Sequence, residues 1–213
     1  MLLAADLVTI SALATAGGTL ILALATFASV RSANRAARVA ERSLLVGLRP
    51  LLLPARLEDA PQKVAFQEGR HLVVPGGSAT AEAEEQTVLL AAALRNVGSG
   101  TAVLHGWHFY PEIVTGSADH PAPDEFTRLS RDIYIAAGEV GFWQGSFRDP
   151  SSAAFAEAHE TIAGRGEWTV DVLYGDAEGG QRMISRYAMF SREGGNWLIS
   201  AGRHWYLEGA APR

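Results

Sequence analysis

Hydrophobic and polar positions follow different patterns on the two sides of Pro50. The first part contains an uncharged run, residues 7–30, with the sequence LVTISALATAGGTLILALATFASV. As a helix this run would extend about 36 Å at roughly 1.5 Å per residue, and the hydrocarbon core of a bilayer is about 30 Å thick. Its serine and threonine hydroxyls can bond the backbone of the same helix. The pattern predicts a transmembrane helix over residues 7–30, preceded by a tail of residues 1–6.

Two other interpretations of this run are less favourable. A cleaved signal peptide carries its positive charge before the apolar core. Here MLLAAD contains Asp6 and no basic residue, and the positive charge follows the core. A core helix of a soluble protein is seldom so long and so free of charge.

Small residues recur four positions apart within the run, as in Ser11–Thr15 and Ala14–Gly18. This spacing lets membrane helices approach one another closely. Self-association into a homo-oligomer through this helix is therefore one hypothesis.

A cluster of arginines follows the uncharged run. Its members are Arg31, Arg35, Arg38, Arg42 and Arg49. Their spacings place them within about 60° of one another on a helix that turns about 100° per residue. We therefore predict a juxtamembrane helix with one arginine stripe over residues 31–49. Pro50 is expected to end it, because proline disfavours the helical conformation in the residue before it.

The arginine stripe predicts a location. Short arginine-rich flanks of a membrane helix stay on the cytoplasmic side. We therefore expect a single-pass protein of the inner (plasma) membrane, with its N-terminus outside and the rest of the chain cytoplasmic. The stripe can also contact anionic lipid headgroups, at about 1 kcal/mol per basic residue near the surface. A topology signal without a specific ligand is the simpler interpretation of the same residues.

After Pro50 the pattern changes to short apolar or alternating runs separated by turns, which is typical of β-strands. The strand-like runs are residues 51–57, 63–66, 71–74, 86–96, 101–111, 167–175, 181–190 and 197–207, with two further pieces around Gly138 in 132–147. Residues 86–96 are apolar on both faces, as in a central strand. Residues 75–85 are predicted to be a polar connector and 115–125 an exposed loop. The pattern predicts an antiparallel β-sandwich over residues 50–209 and a C-terminal tail, residues 210–213.

One helix is predicted to interrupt the strands. Asp149 is expected to cap it, and Pro150 suits the first helical position. Three apolar residues recur at helical spacing: Phe155, Ala158 and Ile162. Gly164 is expected to end the helix, which would cover an end or edge of a sheet.

Charge is distributed unevenly along the chain. The net charge is −5; residues 1–50 contain five arginines and two acidic residues, a net +3, and the remainder has a net −8. An acidic body is poorly suited to nucleic acid, because neutralising phosphates supplies much of that affinity. The absence of cysteine excludes disulfides, thiolate zinc sites and cysteine nucleophiles. We expect no nucleic-acid partner and no cofactor.

The run LRNVGSGTA, residues 94–102, joins two of the predicted strands. Gly98 and Gly100 permit a positive φ, and the Asn96 side chain can bond amides of the turn. This Asn-x-Gly-x-Gly-x-Ala run resembles the strand–turn–strand element of bacterial immunoglobulin-like modules. With the N-terminal span and the arginine stripe, the chain resembles uncharacterised bacterial single-pass membrane proteins with a C-terminal immunoglobulin-like domain. The resemblance implies an immunoglobulin-like sandwich and carries over no catalytic residue.

Candidate catalytic and metal-binding residues are few. His105 and His108 lie three positions apart on a predicted strand, so their side chains would point to opposite faces. Glu167 and Asp171 are better explained as an exposed strand face than as paired carboxylates. The sequence contains no GxSxG, HExxH or phosphate-binding glycine loop, which are the motifs of common hydrolases, metalloproteases and nucleotide sites. We predict no catalytic residue, no metal ligand and no enzymatic activity.

The five tryptophans all follow residue 100: Trp107, Trp143, Trp168, Trp197 and Trp205. Tryptophan at strand positions usually fills the core. The alternative is a binding surface on the last strand. Its candidate residues are Arg203, His204, Trp205 and Tyr206, which combine aromatic area with hydrogen-bond donors as interface anchors do.

Three functions fit these observations. The first, which we favour, is a membrane-tethered, non-enzymatic module that holds an acidic β-sandwich at the cytoplasmic face, where it binds an unknown protein partner. The second is an extracytoplasmic ligand-binding or sensor domain, which needs a deep pocket and contradicts the charge asymmetry. The third is an enzyme of unrecognised type, which needs polar groups converging in one cleft.

Overall fold

The computed structural model describes residues 2–67 and 69–207. In the first helix it describes the side chains from residue 12 onward, except those of residues 42 and 45. The chain divides into two compact units, one ending at Val46 and the other beginning at Gly47. The predicted tail, residues 210–213, lies outside the described residues, as do residues 208–209 at the end of the predicted sandwich.

The first unit is formed by one helix, α1 (Leu2–Gly47). The stretch Ala12–Glu41 has a mean hydropathy of 1.8 in its most apolar window, and none of that window is buried. Leu20 and Leu22 expose 63% and 70% of their surfaces. The helix is therefore long and apolar enough to span a membrane.

The bounds of α1 differ from the prediction at both ends. The helix begins at Leu2, so residues 2–6, predicted to be a tail, are helical, and it ends at Gly47, two residues before Arg49. The early end is explained by Pro50, which holds the preceding residue in an extended conformation. The prediction for the hydroxyls is confirmed: Thr19 and Thr26 donate to carbonyls four residues earlier, at 2.9 and 2.8 Å.

The described part of the second unit contains eleven strands and one α-helix. The strands are β1 (Leu52–Pro54), β2 (Gln62–Ala65), β3 (His71–Val74), β4 (Ser78–Ala83), β5 (Val88–Asn96), β6 (Ala102–Tyr110), β7 (Thr127–Ile135), β8 (Val140–Phe147), β9 (Trp168–Asp176), β10 (Arg182–Ser191) and β11 (Trp197–Tyr206). The helix, α2 (Ala153–Ala163), follows β8, and a 3₁₀ turn at Pro123–Glu125 precedes β7. The prediction of a mainly β domain with one short helix is confirmed.

Nine strands pair antiparallel in one curled sheet. Its order is β1-β5-β4-β11-β10-β9-β6-β7, and β8 pairs with the opposite edge of β5. One hydrophobic cluster fills the interior of the curl and includes four buried tryptophans: Trp107, Trp143, Trp168 and Trp197. The prediction that tryptophans fill the core is confirmed for these four. We call the other side of β6, β7, β9, β10 and β11, away from this cluster, the outer face.

A two-stranded sheet, β2 with β3, covers the outside of β5. Val64, Leu72 and Val74 of this hairpin pack against alternate residues of β5, such as Leu89 and Ala91. The other alternate residues of β5 lie in the main core. The strand is therefore buried on both faces, as its apolar sequence predicted.

Residues 75–85, predicted to be a polar connector, contain a strand instead. Ala79 of β4 pairs with Ala92 of β5 on one edge and Trp197 of β11 on the other. Ser78 and Ala79 are buried where β4 lies between β5 and β11. Serine, alanine and threonine do not produce the large apolar alternation by which strands are identified.

The helix α2 covers the core with the face that the sequence predicted. Its buried residues are Phe155, Ala158 and Ile162. The N-cap is Ser152, whose Oγ accepts from the Phe155 N–H at 3.2 Å, so the prediction of Asp149 was wrong. The Asp149 carboxylate accepts instead within the turn before the helix. Gly164 ends α2, as predicted.

Candidate functional site

The turn between β5 and β6 binds the segment that leaves α1. Asn96 is fully buried, and its Oδ1 accepts from Leu51 N at 3.2 Å and from Gly98 N at 3.0 Å. Its Nδ2 donates to the carbonyls of Gly100, at 2.7 Å, and Ile135, at 2.9 Å. The predicted bond to an amide of the turn is confirmed. The full hydrogen-bonding capacity of the amide is used, so Asn96 fixes three chain segments at one point.

The two glycines of this turn are needed for close approach. Gly98 and Gly100 do not have a positive φ, so the conformational reason given by the sequence was wrong. A Cβ on Gly98 would lie 2.4 Å from Arg49 O, and a Cβ on Gly100 would lie 1.7 Å from Leu48 O. Glycine is therefore required because another backbone passes directly against the turn. We call Leu48–Leu51 together with Asn96–Gly100 the joint.

Arg49 belongs to the joint and not to a helical stripe. Its Nε donates to Gln181 Oε1 at 2.8 Å, and its guanidinium lies 4.2 Å from the centre of the Tyr206 ring. Its carbonyl accepts from Ser99 N at 3.1 Å. The prediction that Arg49 continues the membrane-facing stripe is corrected, because α1 ends before it.

The remaining stripe lies on α1. The side chains of Arg31, Arg35 and Arg38 are exposed. The side chain of Arg42 lies outside the described residues. Contact of this stripe with lipid stays a prediction.

The predicted interaction patch does not form one surface. Its members are consecutive residues of β11: Arg203, His204, Trp205 and Tyr206. Consecutive strand residues point to opposite faces. Trp205 is 7% exposed and packs with Phe126, Leu173 and Ile184 on the outer face. His204 lies on the other face, where its Nδ1 is 2.6 Å from Ser185 Oγ.

Asp171 of β9 and Arg186 of β10 are paired in register and form a fully buried ion pair. The Arg186 Nε lies 2.8 Å from Asp171 Oδ1, and its Nη2 lies 2.7 Å from Oδ2. The geometry is the bidentate one that makes arginine–carboxylate contacts strong and directional. The prediction of Asp171 on an exposed face was wrong, whereas Glu167 is exposed as expected.

Residues 111–126 cover this ion pair from outside. The remaining Arg186 donors bind main-chain carbonyls of this loop, those of Thr115, Ala118 and Asp119, at 2.9, 3.0 and 3.1 Å. Beside them Thr169 Oγ1 donates to Glu112 O at 2.8 Å and accepts from Val114 N at 2.9 Å. We call Asp171, Arg186 and the three loop carbonyls that accept from Arg186 the clamp. The Arg186 N–H groups that do not bind Asp171 all bind this one loop, so the buried ion pair fixes the position of the loop.

The electrostatics of the clamp favour a structural role. Tyr110 Oη donates to Asp171 Oδ2 at 3.1 Å, and burial, followed by the Asp171 charge, raises the pKa of Tyr110 to about 12. Burial alone would lower the pKa of Arg186, but the hydrogen bond and charge of Asp171 raise it above its usual value. Both groups therefore stay protonated at neutral pH. The clamp holds fixed donors around a carboxylate and presents no group that is ready to exchange a proton.

A second polar network lies on the inner side of β9, β10 and β11, opposite to the outer face. Ser185 Oγ lies 2.9 Å from Tyr174 Oη and 2.6 Å from His204 Nδ1. A serine beside a histidine is the arrangement of a nucleophile and its base. Ser185 is fully buried, however, and burial lowers the pKa of His204. The pair therefore links strands in the interior, since a substrate at the surface does not reach the serine.

His105 and His108 lie on one side of the sheet, in contrast to the prediction. A β-bulge between Leu104 and Gly106 shifts the register of β6 against both neighbours, so the alternation of side chains is broken. His105 lines a hollow together with Phe126, and the His108 ring lies 6.2 Å from the Phe126 ring. Among the described residues, no group of three histidines or carboxylates is placed to hold a metal ion.

The hollow beside the bulge has a volume of about 620 Å³ on the outer face. Its lining includes His105, Asp124, Phe126, Arg128, Leu173 and Arg182. Neither the hollow nor the clamp was predicted from the sequence. A signal for the clamp was present, since Asp171 and Arg186 each interrupt the middle of an apolar strand. No local pattern indicated the hollow, because four separate segments contribute to it.

No family model matches the chain, and no curated protein matches it. A solved structure of a Bordetella pertussis protein described as ApaA matches over 78% of this chain and 98% of its own length, with 14% identity and a TM-score of 0.21. Similarity at this level supports no argument about fold or function.

Proposed function

We propose that this protein is a single-pass, membrane-tethered, non-enzymatic interaction module, with its β domain on the cytoplasmic side of the inner membrane. The observation that carries the proposal is α1, in which the most apolar window is completely unburied. An apolar surface of this length on a water-soluble chain would associate non-specifically. Insertion into a bilayer removes it from water and satisfies its backbone internally.

The orientation is supported by charge. Arg31, Arg35 and Arg38 follow the apolar stretch and are exposed on α1, whereas the residues before it include Asp6 and no arginine or lysine. Basic flanks are retained in the cytoplasm. Near an anionic leaflet each arginine contributes about 1 kcal/mol of attraction. With Arg49 assigned to the joint, the stripe that would face the headgroups is shorter than the sequence predicted.

We infer that the curled sheet is an immunoglobulin-like sandwich. In that fold strands A, B and E pair on one side and strands C, F and G on the other. Here β5 pairs with both β1 and β8, and β9 pairs with both β6 and β10. The Asn96 turn, which joins β5 to β6, supports the same inference. The inference requires these two groups of three strands to pack face to face, about 10 Å apart. An experimental structure without that packing would refute it.

A protein-binding role is supported by β7, which ends the path of the main sheet. Tyr134 on this strand is 61% exposed, and exposed tyrosine on an edge strand is typical of a contact residue. Photo-crosslinking from position 134 in cells tests this role, with position 73, where Val73 is 55% exposed on β3, as the matched control. One discrete adduct from position 134 alone is expected. Equal or absent adducts at both positions would contradict the choice of β7.

The membrane assignment is tested by topology reporters on the C-terminus. One reporter is active only in the cytoplasm and the other only outside it. Signal from the cytoplasmic reporter in the membrane fraction is expected. Signal from the external reporter, or a fully soluble protein, would overturn the proposal.

The second candidate function is ligand binding or sensing on the outer side of the membrane. The hollow beside β6 supports ligand binding, since its volume of about 620 Å³ lies within the usual range for small-molecule sites. The charge asymmetry opposes that orientation. The same pair of reporters decides between the two locations.

A further inference from the structure

The hollow beside the bulge of β6 combines an apolar floor with a basic rim. Leu173 and Phe126 are each 7% exposed and pack with Ile184 and Trp205 beneath it. Their remaining surface faces the hollow. The floor is therefore rigid, because it is the upper side of a packed cluster.

The rim carries two arginines and one carboxylate among its residues. Arg128, Arg182 and Asp124 all line the hollow and are exposed. Arg182 takes part in another interaction. Arg128 makes no hydrogen bond or ion pair to any described residue, so its five donors are available to a bound anion.

The backbone is shaped around this space. The bulge at His105 re-aims the imidazole along the outer face, as bulges beside binding sites commonly do. At Gly175 a Cβ would lie 2.9 Å from His105 Nε2, and at Gly106 a Cβ would lie 3.0 Å from Thr127 O. Glycine at 175 therefore leaves room for the His105 imidazole, and glycine at 106 lets Phe126 and Thr127 approach β6 beside the hollow.

We propose that this hollow binds a small organic carboxylate with an apolar body, whose carboxylate pairs with Arg128 and whose body lies on Leu173 and Phe126. A guanidinium pairs with a carboxylate in bidentate geometry. The apolar floor disfavours inorganic anions, and the volume accommodates a ligand of drug-like size or smaller. Binding at this site is independent of the side of the membrane on which the domain lies.

The probe is 3-phenylpropionate, added to the full chain in nanodiscs of zwitterionic phosphatidylcholine. Saturation-transfer NMR titration gives its Kd, after subtraction of the signal from empty nanodiscs. The neutral analogue 3-phenylpropanamide tests the requirement for charge. The variant Arg128→Gln removes the proposed partner. Arg192→Gln is the matched control, because Arg192 is exposed in the turn between β10 and β11 and does not line the hollow.

We expect saturable binding of 3-phenylpropionate, weakened about tenfold or more both by Arg128→Gln and by the change to the amide. Arg192→Gln is expected to bind as the unmodified protein does. Absence of saturable binding up to about 10 mM would overturn the proposal, since even modest contacts of a ligand this size reach that affinity. Equal binding of acid and amide, or undiminished binding by Arg128→Gln, would overturn it as well.

Discussion

Replacing Arg186 with methionine tests the clamp. The substitution keeps a long apolar stem but removes the five hydrogen-bond donors of the guanidinium, two of which bind Asp171 and three the loop carbonyls. Asp171 then remains buried without its cation. Three carbonyls of the loop over residues 111–126 lose their donor at the same time.

The expected loss is large. Removing one member of a buried ion pair costs about 3–5 kcal/mol, because the other charge is left uncompensated. We expect Arg186→Met to lower the free energy of unfolding of the second unit by this amount. The double variant Arg186→Met/Asp171→Leu carries no orphan charge and is expected to be more stable than the single variant. Arg192→Met, at an exposed position, is expected to change stability by less than about 0.5 kcal/mol.

Urea unfolding of the full chain in a nonionic detergent measures these differences. Tryptophan fluorescence reports the second unit alone, because all five tryptophans lie there and are buried. Hydrogen exchange of residues 111–126 is expected to accelerate in Arg186→Met before global unfolding. A loss below about 1 kcal/mol, or a double variant no more stable than the single one, would refute the cost assigned to the uncompensated charge. Unchanged hydrogen exchange of residues 111–126 would refute the role of the ion pair in holding the loop.

Three further predictions concern the joint, the buried tyrosines and α2. Gly100→Ala is expected to cost about 2–4 kcal/mol in the same assay, because its Cβ would meet a main-chain oxygen at 1.7 Å; Gly47→Ala, with open space around it, is the control, and equal effects would contradict the contact. Burial raises the pKa of Tyr110 and of Tyr174 to about 12, above the unfolded value of about 10. The stability that they contribute is therefore present below about pH 10 and is lost as the pH rises toward 12, so tyrosinate absorbance and unfolding are expected to rise together; ionisation of all five tyrosines near pH 10 in the folded state would contradict this. Ser152→Ala removes the N-cap of α2 and is expected to cost about 1 kcal/mol, and an unchanged urea midpoint would show that the cap contributes nothing.

The elements that sequence patterning predicted best are those whose burial is uniform along the element. Residues 7–30 carry no charge at any position, and β5 is apolar at almost every position, so the character of each does not depend on which face meets which neighbour. The small residues of β4 are buried only because β5 and β11 pair on either side of them. Periodicity does not record that kind of long-range pairing.

The predictions for the site residues also depended on contacts between distant parts of the chain. The structural turn at Asn96 was predicted, but the role of its glycines depends on Leu48 and Arg49, which lie about fifty residues earlier in the sequence. The exposed character assigned to Asp171 was reasonable for a strand with a solvent-facing side. It was wrong because a loop from another part of the chain covers that side and supplies carbonyls to Arg186.

The joint also has a mechanical consequence. Any pull on a membrane anchor reaches the second unit through Leu48–Leu51, which covalently follows α1. That segment is held to the Asn96 turn by main-chain and side-chain hydrogen bonds. Load is therefore shared at once by β1, β5 and the end of β7, to which Asn96 is also bonded, and it does not peel the first strand away one residue at a time. Asn96 holds this attachment together. Its loss would therefore lower the force needed to unfold the domain by more than the change in the free energy of unfolding suggests.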